Sequence, residues 1–190
     1  MSRMSTRRLA RAITAAVALS TTLLLAGCSG SHSAPAASAS ALPTVKAIGT
    51  RVTVPCATLV PSSALSVYGK SFTLDKKASR KPETGTPAAT IAGQRGQVCT
   101  WKSTSGDMRV TVAVAHLPSS ALTRLKNSLF EHSHSVPTYT VEGYFDLQGK
   151  TGRADSFPGS YWVNAESTLF TEPGAAQPVM DAVREALSGK

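Results

Sequence analysis

After residue 44 the chain holds two cysteines, Cys56 and Cys99, and the compartment they reach decides what they do to the fold. Residues 1–11 carry Arg3, Arg7, Arg8 and Arg11 with no acid, and an apolar run from Ala12 to Ala26 follows. That run is broken by Thr14, Ser20, Thr21 and Thr22, and it falls short of the roughly twenty apolar residues that cross a bilayer. A basic flank, a short apolar stretch and then small residues read as a secretory signal. In an exported domain an even number of cysteines reads as a disulfide, because the thiol reductants of the cytoplasm are absent there. Two cysteines allow one pairing. Closing the Cys56–Cys99 loop stabilises the fold by about 4 kcal/mol on the chain-entropy account. A free thiol or a metal thiolate pair is the alternative, without a CxxC spacing or a nearby histidine to support it.

The third cysteine has a different setting. Leu25-Ala26-Gly27-Cys28 resembles the lipobox of bacterial lipoproteins, in which a small residue precedes the cysteine that becomes the new N-terminus. The resemblance implies cleavage after Gly27, a diacylglyceryl thioether on Cys28, often an added N-acyl chain such as palmitate, and anchoring to the outer face of the cell membrane. More than one chain is needed because, at about 0.8 kcal/mol per buried methylene, one chain holds only weakly. Residues 1–27 are then a lipoprotein signal peptide. Residues 28–44 are the lipidated cysteine and an Ala/Ser/Pro-rich tether, uncharged and spanning roughly 20 Å as a random coil. Residues 45–190 suit one domain with its own core.

The formal net charge of +9 overstates the mature domain. Removing residues 1–27 takes four arginines and no acid, leaving sixteen basic residues against eleven acidic, or +5. An exported location argues against nucleic acid as a partner. Anionic lipid, an anionic wall polymer or another envelope protein fits better. The densest basic segment is Lys70, Lys76, Lys77, Arg80 and Lys81, opposed by Asp75 and Glu83. It reads first as a solvated loop and second as a contact to an anionic surface, where each cation contributes about 1 kcal/mol.

Periodicity gives the elements. Val60 to Leu65 opens a short helix with serine available to cap it, Pro61 near its first turn and Gly69 closing it, and Ser71 to Leu74 makes a short strand. Residues 76–96, with two prolines and three glycines, are expected to be a long mobile loop. Val98–Lys102 and Met108–Val114 alternate around Ser105-Gly106-Asp107, a hairpin with one face inward. Pro118 starts a helix with Leu122, Leu125 and Leu129 on one face. Tyr139–Phe145, Ser160–Val163 and Ser167–Thr171 read as strands. A closing helix runs from about Gln177, with Pro178 in its first turn. Helices grouped on a mostly antiparallel sheet give an α+β class, with two or three helices and one disulfide.

Val54-Pro55-Cys56-Ala57-Thr58-Leu59 opening the domain, then Val98-Cys99-Thr100-Trp101 entering a Val-rich strand, complete a recognisable combination with the lipobox and tether. It resembles a group of actinobacterial cell-envelope lipoproteins with a "PC…L" helix and a "C-x-W" strand. More distantly it is similar to the extracytoplasmic sensor domains of actinobacterial receptor kinases. Over residues 45–188 the resemblance implies the paired cysteines and an α+β sheet, and it implies no catalytic residues.

Catalytic motifs fail on spacing. Gly149-Lys150-Thr151 lacks a glycine at phosphate-loop distance, and Lys150-Thr151-Gly152 stands without the S-x-x-K that penicillin-binding chemistry requires. Glu131-His132-Ser133-His134 is at most half a metal site. His116, at a strand end, reads as a packed or half-exposed residue. No cofactor, metal or enzyme activity is expected. The leading expectation is a non-enzymatic, lipid-anchored envelope protein that binds a partner at the membrane–wall boundary. A carrier or sensor with an apolar pocket, lined by residues such as Val112, Val114, Leu125 and Phe145, is the alternative. A hydrolase built on an unforeseen Ser/His/acid cluster is the remote one.

Overall fold

The computed structural model describes residues 47–137 and 139–189. The lipobox Leu25-Ala26-Gly27-Cys28, the signal peptide and the tether lie outside the described residues. In chain order the elements are α1 (Cys56–Leu59), α2 (Ser62–Ser66), β1 (Phe72–Leu74), α3 (Lys76–Arg80), α4 (Pro87–Gly93), β2 (Gln97–Ser103), β3 (Arg109–His116), α5 (Ser119–His132), β4 (His134–Ser135), β5 (Gly143–Gln148), β6 (Thr151–Ser156), β7 (Tyr161–Ser167) and α6 (Pro173–Ser188).

All seven strands join one sheet in the order β1-β2-β3-β7-β6-β5-β4, and every neighbouring pair is antiparallel. The β2–β3 hairpin turns at Gly106, whose φ of 105° suits glycine. Because side chains alternate across a strand, Val110, Val112 and Val114 of β3 fall on one face with Val163 and Ala165 of β7. There they join Cys99, Trp101, Phe145 and Ala154 in a core closed by Leu59 and Leu65 of α1 and α2 and by Val179, Met180 and Val183 of α6. The opposite face gathers Val98, Ala113, Ala115, Tyr144 and Trp162 beneath Ala88 and Ile91 of α4 and Leu122 and Leu129 of α5. The fold is α+β, with an antiparallel sheet and helices on both faces.

Cys56 and Cys99 form the disulfide, with their Cα atoms 5.6 Å apart. It ties α1 to β2, and Trp101 shares the Cys99 face. Leu122 and Leu129 are buried as the α5 periodicity requires, with Leu125 packed partly against them.

Four local expectations are corrected. Residues 76–96 hold two helices rather than a loop. The Asp75 carboxylate accepts from the Ala78 N–H to start α3, and the Thr86 hydroxyl accepts from the Ala89 N–H to start α4, with Pro87 in its first turn. Tyr139 lies outside the strand expected at 139–145, which runs Gly143–Gln148; its ring is buried in the core and its hydroxyl donates to the Pro173 carbonyl. Thr151–Ser156, for which the sequence pattern predicts no strand, is the strand β6. Its neighbour β7 reaches Ser167, and residues 168–171 are turn rather than strand. Gly152 has to be glycine, since a Cβ there would collide with the Phe170 carbonyl and lie 2.7 Å from the Phe170 Cβ. Finally, α6 starts at Pro173, so Pro178 lies inside the helix, where its missing N–H leaves the Gly174 carbonyl without the usual donor.

Candidate functional site

The α4/α5 face of the sheet is not apolar throughout. Strand register aligns Thr100 of β2, Thr111 of β3, Glu166 of β7 and Arg153 of β6 in one row across the sheet. The next row carries Ala113, Asn164 and Asp155. These polar residues share the face that α4 and α5 cover, and where α3 and α4 stand away from the sheet a cleft of about 320 Å³ remains. Its walls include Ala78, Lys81, Glu83 and Thr86, and Thr100, Arg109, Thr111 and Glu166 come from the sheet.

Beside the cleft is a buried charge network. Asp155 is 1% exposed. Its carboxylate accepts from Arg153 Nε at 2.8 Å, from Trp162 Nε1 at 2.7 Å and from Asn164 Nδ2 at 3.1 Å. A buried carboxylate persists only when its lone pairs are used, and β6 and β7 supply all three donors. Asn164 Oδ1 is buried with no partner among the described residues. Thr100 and Thr111 share a hydrogen bond of 3.2 Å between their hydroxyls.

Glu166 differs from Asp155. Burial pushes its carboxyl above the ordinary glutamate value, opposed by the charge of Arg153 and reinforced by that of Asp155. At the outer end, Asp75 is held below the ordinary aspartate value, first by the Ala78 N–H and then, against some burial, by Arg109, whose Nη1 lies 3.0 Å from its carboxylate.

The basic segment divides between two places. Lys76, Lys77, Arg80 and Lys81 are exposed on and just after α3. Lys81 lines the cleft, and Lys77 and Lys81 also border a hollow of about 270 Å³ together with Asp75, Ala78 and Arg109. Lys70 instead lines a more apolar groove of about 540 Å³ with Val60, Leu65, Phe72 and Trp101, which belong to the α1/α2/α6 core. Among the described residues none of these five cations forms an ion pair.

Val112, Val114 and Phe145 are packed in one core and Leu125 against the other, so the four do not line a shared cavity. His132 ends α5 with Nδ1 2.8 Å from the Ser128 carbonyl, whereas His134 belongs to β4. Among the described residues no three metal-ligating side chains gather. His116 is half-buried, its ring edge-on to Tyr161 at 4.9 Å.

Sequence reasoning missed Thr100, Arg109, Thr111, Asp155, Asn164 and Glu166. Their signal was available, since Thr111 alternates with valines on β3, and Asn164 and Glu166 alternate with Val163 and Ala165 on β7. A face carrying hydroxyl, amide and carboxylate at such positions is a polar floor rather than a core.

No protein-family model, curated protein or solved structure matches the chain. Among the described residues no helix is long and apolar enough to cross a membrane.

Proposed function

We propose that this is a lipid-anchored cell-envelope protein, held at the outer face of the cell membrane through Cys28, whose α+β domain binds an anionic partner without catalysing a reaction. The lipobox-like Leu25-Ala26-Gly27-Cys28 supports the anchor, and the resemblance to actinobacterial envelope lipoproteins agrees with it. The Cys56–Cys99 disulfide suits an oxidising compartment. The observation that carries the binding reading is the set of exposed cations at α3, Lys76, Lys77, Arg80 and Lys81, which stand without carboxylate partners among the described residues. Unneutralised like charges on one short segment repel one another, and a negatively charged surface or polymer relieves that repulsion.

Two measurements test it. High-salt washing should leave the protein with the membrane, and Cys28→Ala should release it or block its maturation. A Cys28→Ala protein retained as before would remove the anchor. Binding to anionic vesicles should fall with added salt and with combined replacement of Lys76, Lys77, Arg80 and Lys81 by alanine. Binding indifferent to both would remove the charge reading.

The groove at Trp101 favours a second reading, a carrier for an amphiphile. Phe72, Leu65 and Val60 would take the apolar part, and Lys70 lies beside them for an acidic end. A fluorescent fatty acid displaced by unlabelled acid, with loss on Ala57→Arg at the exposed wall of the groove, would support that reading over the first.

A further inference from the structure

We propose that the cleft between α3, α4 and the sheet takes a polyol phosphodiester, its phosphate held by Lys77, Lys81 and Arg109 and its hydroxyls by Glu166, Thr111 and Thr100. The inference rests on the anionic-partner reading and names the chemistry of the partner.

The cleft is cationic at its mouth and acidic at its floor. Lys81 lines it and Lys77 borders the adjoining hollow, while Arg109 is shared by both. Arg109 spends one nitrogen on Asp75 at 3.0 Å and keeps other N–H groups. A cationic ligand meets repulsion at that entrance. On the floor, Glu166 is half-buried and accepts no side-chain hydrogen bond from the described residues. A carboxylate only accepts, so a simple anion pressed to the floor is repelled as well.

A ligand that satisfies both ends carries its charge at the mouth and a neutral donor at the floor. Hydroxyls donate to Glu166 and can also exchange hydrogen bonds with Thr111 and Thr100, whose paired hydroxyls each retain further capacity. Asp75 and Glu83 offset two of the three cationic charges at the mouth, and a singly charged diester matches what remains better than a doubly charged monoester. A phospholipid headgroup and a soluble or polymeric glycerophosphate share this chemistry.

The test uses the full-length protein in detergent, with glycerophosphoglycerol, inorganic phosphate and glycerol as calorimetric probes. The diester should bind about tenfold or more tightly than phosphate or glycerol, as expected when charged contacts and hydroxyl contacts act together. Glu166→Gln and Thr111→Val should weaken the diester by about fivefold or more without weakening phosphate, while Lys77→Ala with Lys81→Ala should weaken both. Unchanged near-ultraviolet circular dichroism confirms that each variant is folded. Vesicles of phosphatidylglycerol and of phosphatidylcholine separate the sources. Glu166-dependent binding to the former marks a headgroup, and binding of the soluble diester alone marks a free or polymeric source. Equal binding of phosphate and diester, untouched by Glu166→Gln, would overturn the proposal and leave the anionic-partner reading standing. Loss of salt-sensitive binding to every anionic probe would overturn both.

Discussion

Replacing Asp155 by alanine is the most demanding test of how the polar face is held. The carboxylate is 1% exposed and accepts from three different side chains. Its removal leaves the Trp162 N–H and the Asn164 amide without their acceptor, and Arg153 without the carboxylate its Nε donates to. Each buried donor left unpaired costs about 1–3 kcal/mol, and breaking a buried ion pair from one side costs about 3–5 kcal/mol. Part of this overlaps, since Arg153 is itself 18% exposed along its side chain and keeps some contact with water. We therefore expect Asp155→Ala to destabilise the domain by about 3–5 kcal/mol. In urea, with a slope of about 2 kcal/mol/M, the midpoint should fall by about 1.5–2.5 M. Trp162 itself reports the transition by fluorescence. Asp155→Asn keeps an acceptor for Trp162 while turning an amide toward Arg153, and should cost less. A double-mutant cycle with Arg153→Met should show that the two losses do not add. A change below about 1 kcal/mol for Asp155→Ala would refute the view that β6 and β7 are fastened through this carboxylate.

Replacing both Cys56 and Cys99 by serine should cost about 4 kcal/mol, read as a lower urea midpoint, with reductant acting likewise on the parent protein. Glu166→Gln should leave stability unchanged at low pH and raise it near neutrality. The native state favours the protonated glutamate, so that contribution is lost as pH rises through the elevated native value; a stability difference constant across that range would contradict the assignment. Gly152→Ala should destabilise by about 1–3 kcal/mol by forcing β6 away from the Phe170 backbone, measured by thermal unfolding.

What the sequence disclosed depended on whether side chains alone carried the signal. The β2–β3 hairpin and α5 were legible because Val110, Val112 and Val114, and Leu122, Leu125 and Leu129, repeat at the spacings of a strand and a helix. Thr151–Ser156 was not, because a strand of Gly152, Arg153, Ala154 and Asp155 has almost no apolar residue to show alternation. It is buried because small residues fit beneath Phe170 while Arg153 and Asp155 satisfy each other. The short helices of residues 76–96 were hidden by their prolines and glycines. Pro87 marks a helix start only when Thr86 is seen to cap it. The polar floor was hidden for another reason. Thr100, Thr111, Glu166 and Arg153 lie far apart along the chain and become neighbours only through strand register, which a single sequence does not fix.

The two outermost strands of the sheet are its shortest. β1 has three residues and β4 has two, so the seven-stranded array ends at each side with very little free backbone. Open sheets with long bare margins recruit strands from neighbouring molecules and grow into aggregates. Here β3, β7 and β6 are flanked by strands on both sides, β1 covers Trp101–Ser103 of β2 and β4 covers Tyr144 and Phe145 of β5, so the backbone left open at each margin is only a few residues long. Copies crowded at high local concentration can touch through their side chains while their sheets stay separate.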